Sequence, residues 1–121
     1  MSSLEQCVNR LVMAGTDDWV YLAEVVRIVE STICGSPVDI QRFTCELIRE
    51  VAQQGLMELG DLNKEGFCRW SLPIEKCLNR VEREWNALGR NPTLGEICWL
   101  QNTDKGKALG EELFKQRGAG Q

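Results

Sequence analysis

Residues 36–60, SPVDIQRFTCELIREVAQQGLMELG, constrain the fold more than any other stretch of the chain. Ser36 offers an N-cap oxygen, Pro37 suits the first helical position, and Asp39 can reach back to close a capping box. Behind this start, Ile40, Phe43, Thr44, Leu47, Ile48 and Val51 share one helical face. Gly55 supplies the left-handed residue that stops such a helix. Leu56-Met57-Glu58-Leu59 then reads as a short strand, followed by a turn at Gly60-Asp61. A capped helix therefore passes through one glycine directly into a strand, and the flanking chain must cover both.

Upstream, Leu4, Cys7, Val8, Leu11 and Val12 form the apolar stripe of a first helix, ended near Gly15. Thr16, Asp17 and Asp18 supply caps and negative charge for a second helix, predicted over about Asp18 to Ser31. Its inner face carries Trp19, Leu22, Val25 or Val26, and Val29, and Trp19 and Tyr21 are expected in the core or at its edge. Downstream, Asn63-Lys64-Glu65-Gly66 is a second turn cluster, and Phe67-Cys68-Arg69-Trp70 reads as the return strand of a small hairpin. Ile74, Cys77, Leu78, Val81, Trp85 and Leu88 then make one stripe of a fourth helix over 73–88, closed by Gly89. Ile97-Cys98-Trp99-Leu100 is a third extended stretch. Asn102-Thr103-Asp104 caps a last helix from Lys105 to about Gln116, with a fraying tail at Gly118-Ala119-Gly120-Gln121.

Composition excludes several function classes. The chain has 121 residues, 43% apolar and 26% charged, as expected of a single soluble globular domain. The opening MSSLEQCVNRLV lacks the pattern of a secretory signal, and the most apolar run, Trp19 to Val29, is cut by Glu24 and Arg27. A cytoplasmic protein without membrane contact is expected. Six cysteines occur without a CxxC pair, and histidine is absent. That pattern predicts neither a metal site nor a disulfide framework, but buried free thiols, with Cys7, Cys77 and Cys98 on apolar faces. Without histidine, a Gly-rich phosphate loop or a nucleophile motif, no catalytic residue and no cofactor is predicted. Asp17-Asp18 and the Glu82/Glu84 pair read as capping and solvated helix face.

The order of elements resembles a winged helix-turn-helix domain. LIREVAQQGLMELGD is similar to the recognition helix and first wing strand of MarR-type and PadR-type regulators. ICWLQNTDKGKALGEEL is similar to their second wing strand and the helix after it. The resemblance implies an α+β, mostly α fold over residues 1–121. Residues 1–55 would form a three-helix bundle, 56–101 an elaborated wing with helix 73–88 inserted, and 103–116 a closing helix. A basic turn joins the wing strands of the regulators, whereas here the wing tip is remodelled around the inserted helix.

The charge distribution divides the functional expectations. Residues 1–60 hold four arginines against nine carboxylates, a net of −5, whereas 61–121 carry a net of +1. The half bearing the helix-turn-helix thus has the wrong sign for phosphate. The leading expectation is a non-enzymatic interaction domain resembling immunity proteins, which neutralise basic, nuclease-type toxins through opposite-sign surfaces. Its predicted partner-binding residues are Asp39, Arg42, Glu46, Arg49 and Glu50 on the third helix, Asp61 and Glu65 on the hairpin, and Trp70, which reads first as core packing and otherwise as a partly exposed anchor. The alternative is a DNA-binding transcription regulator in which Gln41, Arg42 and Arg49 read bases, with either a monomer or a dimer compatible with the pattern.

Overall fold

Five helices and a four-stranded antiparallel sheet make up the computed structural model, which describes residues 1–119. The elements are α1 (Ser3–Asp17), β1 (Val20–Tyr21), α2 (Leu22–Glu30), α3 (Pro37–Gln53), β2 (Met57–Asn63), β3 (Gly66–Arg69), α4 (Ile74–Leu88), β4 (Trp99–Asn102) and α5 (Asp104–Ala119). The fold class is α+β, with the sheet ordered β1-β4-β2-β3.

Helix α3 forms as its caps require. Asp39 N donates to Ser36 Oγ and Ser36 N donates to Asp39 Oδ2, at 3.2 and 3.1 Å. Gly55 stops it with a φ of +71°, a conformation that costs glycine nothing. Ile40, Thr44, Leu47, Ile48 and Val51 are buried, and the Thr44 hydroxyl is satisfied by donating to Ile40 O. Phe43 is half-buried against the same core. Val8, Leu11 and Val12 of α1, Val25, Val26 and Val29 of α2, and Leu59 and Leu100 of the sheet complete that core. Burying each such side chain contributes on the order of 1.5–3 kcal/mol before conformational entropy is counted.

Several boundaries depart from the sequence expectation, each for a long-range reason. Helix α2 starts at Leu22, because Val20 and Tyr21 pair with Leu100 and Trp99 as strand β1. Trp19 is consequently not on the inner face of a helix. It is 37% exposed, and its Nε1 donates to Gln101 Oε1 at 2.8 Å. Pairing with residues some eighty positions away outweighs helical spacing, as tertiary context commonly outweighs weak local propensity. Helix α1 continues through Gly15 to Asp17. A Cβ there would lie 2.6 Å from Asn102 Oδ1, so any larger residue would push the Asn102 side chain aside.

Gly60-Asp61 is not a turn. Both residues lie within β2, opposite Arg69 and Cys68, and the hairpin reverses at Lys64-Glu65. A Cβ on Gly60 would stand 2.3 Å from Cys68 O, so this strand interior requires the close approach that only glycine allows. Strand β4 begins at Trp99 rather than Ile97. Ile97 has a φ of +73°, rare for a β-branched residue, and Cys98 N donates across it to Glu96 O in a γ-turn. Arg90 and Thr93 clasp Glu96 and hold this loop shut: Arg90 Nη1 and Nη2 and the Thr93 N–H and Oγ1 all donate to its carboxylate.

Thr103 Oγ1 accepts from Gly106 N and so caps α5, which packs along α1. The helix reaches Ala119, past the Gln116 end expected for it, so Gly118 and Ala119 continue it instead of fraying. Gly120 and Gln121 lie outside the described residues. All six cysteines are free; Cys7, Cys77 and Cys98 are buried, Cys45 is half-buried, and Cys34 and Cys68 are exposed. Among the described residues no helix is long and apolar enough to cross a membrane.

Candidate functional site

The solvent side of α3 carries five of the eight predicted partner-binding residues, and α4 lies along it. The apolar stripe of α4, Cys77, Leu78, Val81 and Trp85, is at most 4% exposed and faces the core. At the flank of that stripe, polar side chains of α4 meet α3. Gln41 Nε2 donates to Asn86 Oδ1 at 3.0 Å. Arg49 donates from Nε to Glu75 Oε2 and from Nη2 to Glu75 Oε1, at 2.9 and 3.0 Å, a bidentate pair. These bonds lower the Glu75 carboxyl below its ordinary range and raise the Arg49 guanidinium.

Cys45 sits between these two contacts, four residues from each. Burial is the main reason its thiol is pushed up to about 11, with the nearby Glu82 carboxylate adding to the effect. Gln41, Cys45 and Arg49 thus form a stripe turned toward α4. Of the three candidate base-reading residues, Gln41 and Arg49 are hydrogen-bonded to α4, whereas Arg42 is exposed.

Two adjoining recesses follow the α3–α4 seam and share Val38, Gln41 and Asn86. One, of about 390 Å³, extends past Trp85 to Arg90 and Asn91. The other, of about 400 Å³, reaches Arg42, Glu46 and Glu82. Val38, 62% exposed, forms an apolar point where they meet. Asp39 remains exposed, and its carboxyl is held below the ordinary range chiefly by the bond from the Ser36 N–H. Arg42 and Glu46 are exposed as well. Arg49 pairs with Glu75 and Arg90 with Glu96, which leaves Asp39, Glu46 and Glu82 against Arg42, so this edge is acidic.

The other predicted residues do not gather here. Glu50 is half-buried, accepts from Gln54 Nε2 at 2.6 Å, and lines a small recess with Leu4, Val8 and Leu109 on the α1–α5 side. Asp61 is exposed on β2 and Glu65 sits at the hairpin reversal, where its N–H donates to Asn63 Oδ1. Trp70 is not an exposed anchor. It is 6% exposed, its backbone N–H donates to Leu59 O, and the Arg80 guanidinium lies 3.9 Å above its ring. The extra chain length that follows β3 folds back as α4 and covers the indole. Among the tryptophans Trp19 is the most exposed, and Trp99 is half-buried.

The sequence carried one clue to the α3–α4 seam. The α4 stripe is continuous over four turns and had to find a partner face. Nothing local identifies Asn86 as the partner of Gln41 or Glu75 as that of Arg49. Among the described residues no group of three histidine, cysteine, aspartate or glutamate side chains is placed to hold a metal ion. No family model matches the chain, and neither a curated protein nor a solved structure matches it.

Proposed function

We propose that this chain is a winged-helix-derived, non-enzymatic interaction domain that docks a basic protein on the α3–α4 edge, in the manner of an immunity protein neutralising a nuclease-type toxin. The winged-helix reading is supported by three helices with a short strand between the first two, and by the order β1-β4-β2. In that reading β3 and α4 are inserted between the two wing strands.

The observation that carries the proposal is the cover over α3. A helix that reads bases must present its outer side chains to the major groove. Here Gln41 and Arg49 are hydrogen-bonded to Asn86 and Glu75 of α4, which lies along one flank of α3. What stays open is acidic, and phosphate is repelled by the same carboxylates that attract lysine and arginine. Opposite-sign surfaces accelerate association and reject wrong partners, which is what an inhibitor of a basic toxin requires.

The test is a pair of binding measurements. Wild-type chain and the double charge reversal Glu46→Lys with Glu82→Lys are used as bait in the native strain, and captured proteins are identified by mass spectrometry. A basic protein retained by the wild type and lost by the variant, with an association rate that falls as salt rises, is the expected result. Capture of the same partner by both baits would refute the docking surface. Salt-sensitive retention of the chain's own promoter DNA by the wild type would favour the regulator instead.

A further inference from the structure

The sheet has two faces, and the helical core lies against one of them. Val20, Leu100 and Leu59 stand side by side across β1, β4 and β2 and are buried. Asn102, paired with Met57 on the same side, donates from Nδ2 to Val12 O of α1. Side chains alternate along a strand, and residues paired across strands share a face. The intervening positions therefore point the other way. Tyr21, Trp99 and Gly60 lie abreast on three strands, and Leu62 pairs with Phe67 beyond them. A Cβ on Gly60 would stand 2.7 Å from Phe67 Cζ, so the glycine lets that ring lie over the strand. Trp19 adjoins this row through Gln101, which accepts from its indole N–H.

This outer face departs from the usual pattern. An antiparallel sheet with one solvated side alternates apolar inward and polar outward. Here Trp19, Tyr21, Trp99, Leu62 and Phe67 all point outward, and none of them is fully buried. The Tyr21 and Trp99 rings meet edge to face with centroids 5.7 Å apart, so the apolar positions form a strip instead of scattered points. Apolar side chains on both faces of a sheet call for a second layer. Charge narrows what that layer is. Glu58 and Arg69 share this face, 3.6 Å apart and 40% and 65% exposed. Arg27, at the margin, lies over the Tyr21 ring and donates to its hydroxyl. The face thus lacks the acidic excess that draws a basic protein and the row of cations that draws phosphate. One carboxylate beside one guanidinium is complementary to a second copy of itself.

We infer that the outer sheet face binds the same face of a second copy of this chain, as an isologous pair. A two-fold rotation sets Arg69 of one copy against Glu58 of the other, and the aromatic strips close on each other as two packed sheets. The interface is small. Four strands about 4.8 Å apart, three of them no longer than four residues, offer roughly half of the 800 Å² per partner that a standard interface buries. Association is therefore weak, with a dissociation constant on the order of 10–100 μM. The inference is independent of the protein-docking proposal, because it uses none of the α3–α4 edge residues.

The experiment is sedimentation equilibrium of the full chain from about 5 μM to about 1 mM, which brackets that constant. Reductant is present, so that the exposed Cys34 and Cys68 cannot cross-link the copies. The average mass should rise from 13.7 kDa toward twice that value. Arg69→Glu opposes carboxylates across the two-fold and should weaken association at least about tenfold. Exchanging both charges, Glu58→Arg with Arg69→Glu, should restore it. Circular dichroism checks the fold of each variant, and Trp19→Ser, at an exposed end of the strip, replaces any that unfolds. A chain that stays at 13.7 kDa at the highest concentration overturns the inference. So does a dimer that Arg69→Glu leaves intact, or one that the double exchange does not recover. A monomer whose Trp99 indole signal moves in NMR only when a basic protein is added would assign the face to that protein and overturn the inference as well.

Discussion

Trp85→Ala tests what fastens α4 over α3. Trp85 is 4% exposed and lines the seam beside Pro37, Val38 and Gln41. Two kinds of contact compete as the fastener. The polar contacts, Arg49–Glu75 and Gln41–Asn86, are open to water, and the arginine and glutamate side chains are 39% and 61% exposed. Water screens such a pair, and ordering two long side chains offsets much of its attraction. Truncating a buried tryptophan removes its transfer free energy and leaves a cavity, a loss of about 3–5 kcal/mol. The apolar stripe therefore dominates. Urea unfolding followed by circular dichroism measures the difference. With m of about 1–3 kcal/mol/M, the midpoint of Trp85→Ala should fall by at least about 1 M, with m unchanged. Arg49→Ala and Glu75→Ala should each leave the midpoint nearly in place. A larger shift for Arg49→Ala than for Trp85→Ala would refute the reasoning and make the ion pair the latch.

Gly106→Ala should destabilise far more than Gly55→Ala. A Cβ on Gly106 would sit 2.0 Å from Leu56 O, which is backbone, whereas Gly55 has open space and only its φ of +71° to strain, a cost of about 1–2 kcal/mol. Thermal melts of the two variants give the comparison directly. In the 90–96 loop, Arg90 first and then Thr93 hold the Glu96 carboxyl at about 2, below its ordinary 4.5. A depressed carboxyl contributes stability above its ordinary value and loses it as pH falls toward 2. The Thr93 amide resonance should accordingly titrate with a midpoint near 2, and a midpoint near 4.5 would mean that the clasp is absent in solution. Iodoacetamide at pH 8 should modify the exposed Cys34 and Cys68 well before Cys45, whose thiol is pushed up to about 11; mass spectrometry of the digested chain reads the order.

Much of the architecture was legible because it is written in local chemistry. The Ser36/Asp39 capping box, the apolar stripe of α3 and the left-handed Gly55 are short-range devices, and all appear at the predicted residues. The α4 stripe and the Gly89 that closes it are of the same kind. The failures share a different cause. Gly15 and Gly60 look like breakers in sequence, yet each permits a close approach to a distant segment, Asn102 or Cys68. Strand β1 has two residues and no pattern of its own, and it exists because β4 passes beside it. At the candidate site the capped start of α3 was legible, whereas its cover was not. A helical stripe tells that a face will be buried, but an outward glutamine or arginine does not reveal that another helix will supply its partner. Of the two readings of Trp70, core packing holds and the exposed anchor does not, since the Arg80 guanidinium of α4 lies over its ring.

The pairing of β1 with β4 also has a kinetic consequence. Val20 and Leu100 meet only after the whole of α2, α3, the hairpin and α4 has been gathered between them. Closing so long a loop costs entropy before the contact returns any free energy, and sheets built on distant pairings fold slowly for that reason. The hairpin of β2 and β3 can close early, while the sheet waits for its middle strand β4 to arrive last. In any chain where β4 has not yet paired, the edge of β2 bearing Met57 and Leu59 is open, and an open apolar edge is a site for self-association.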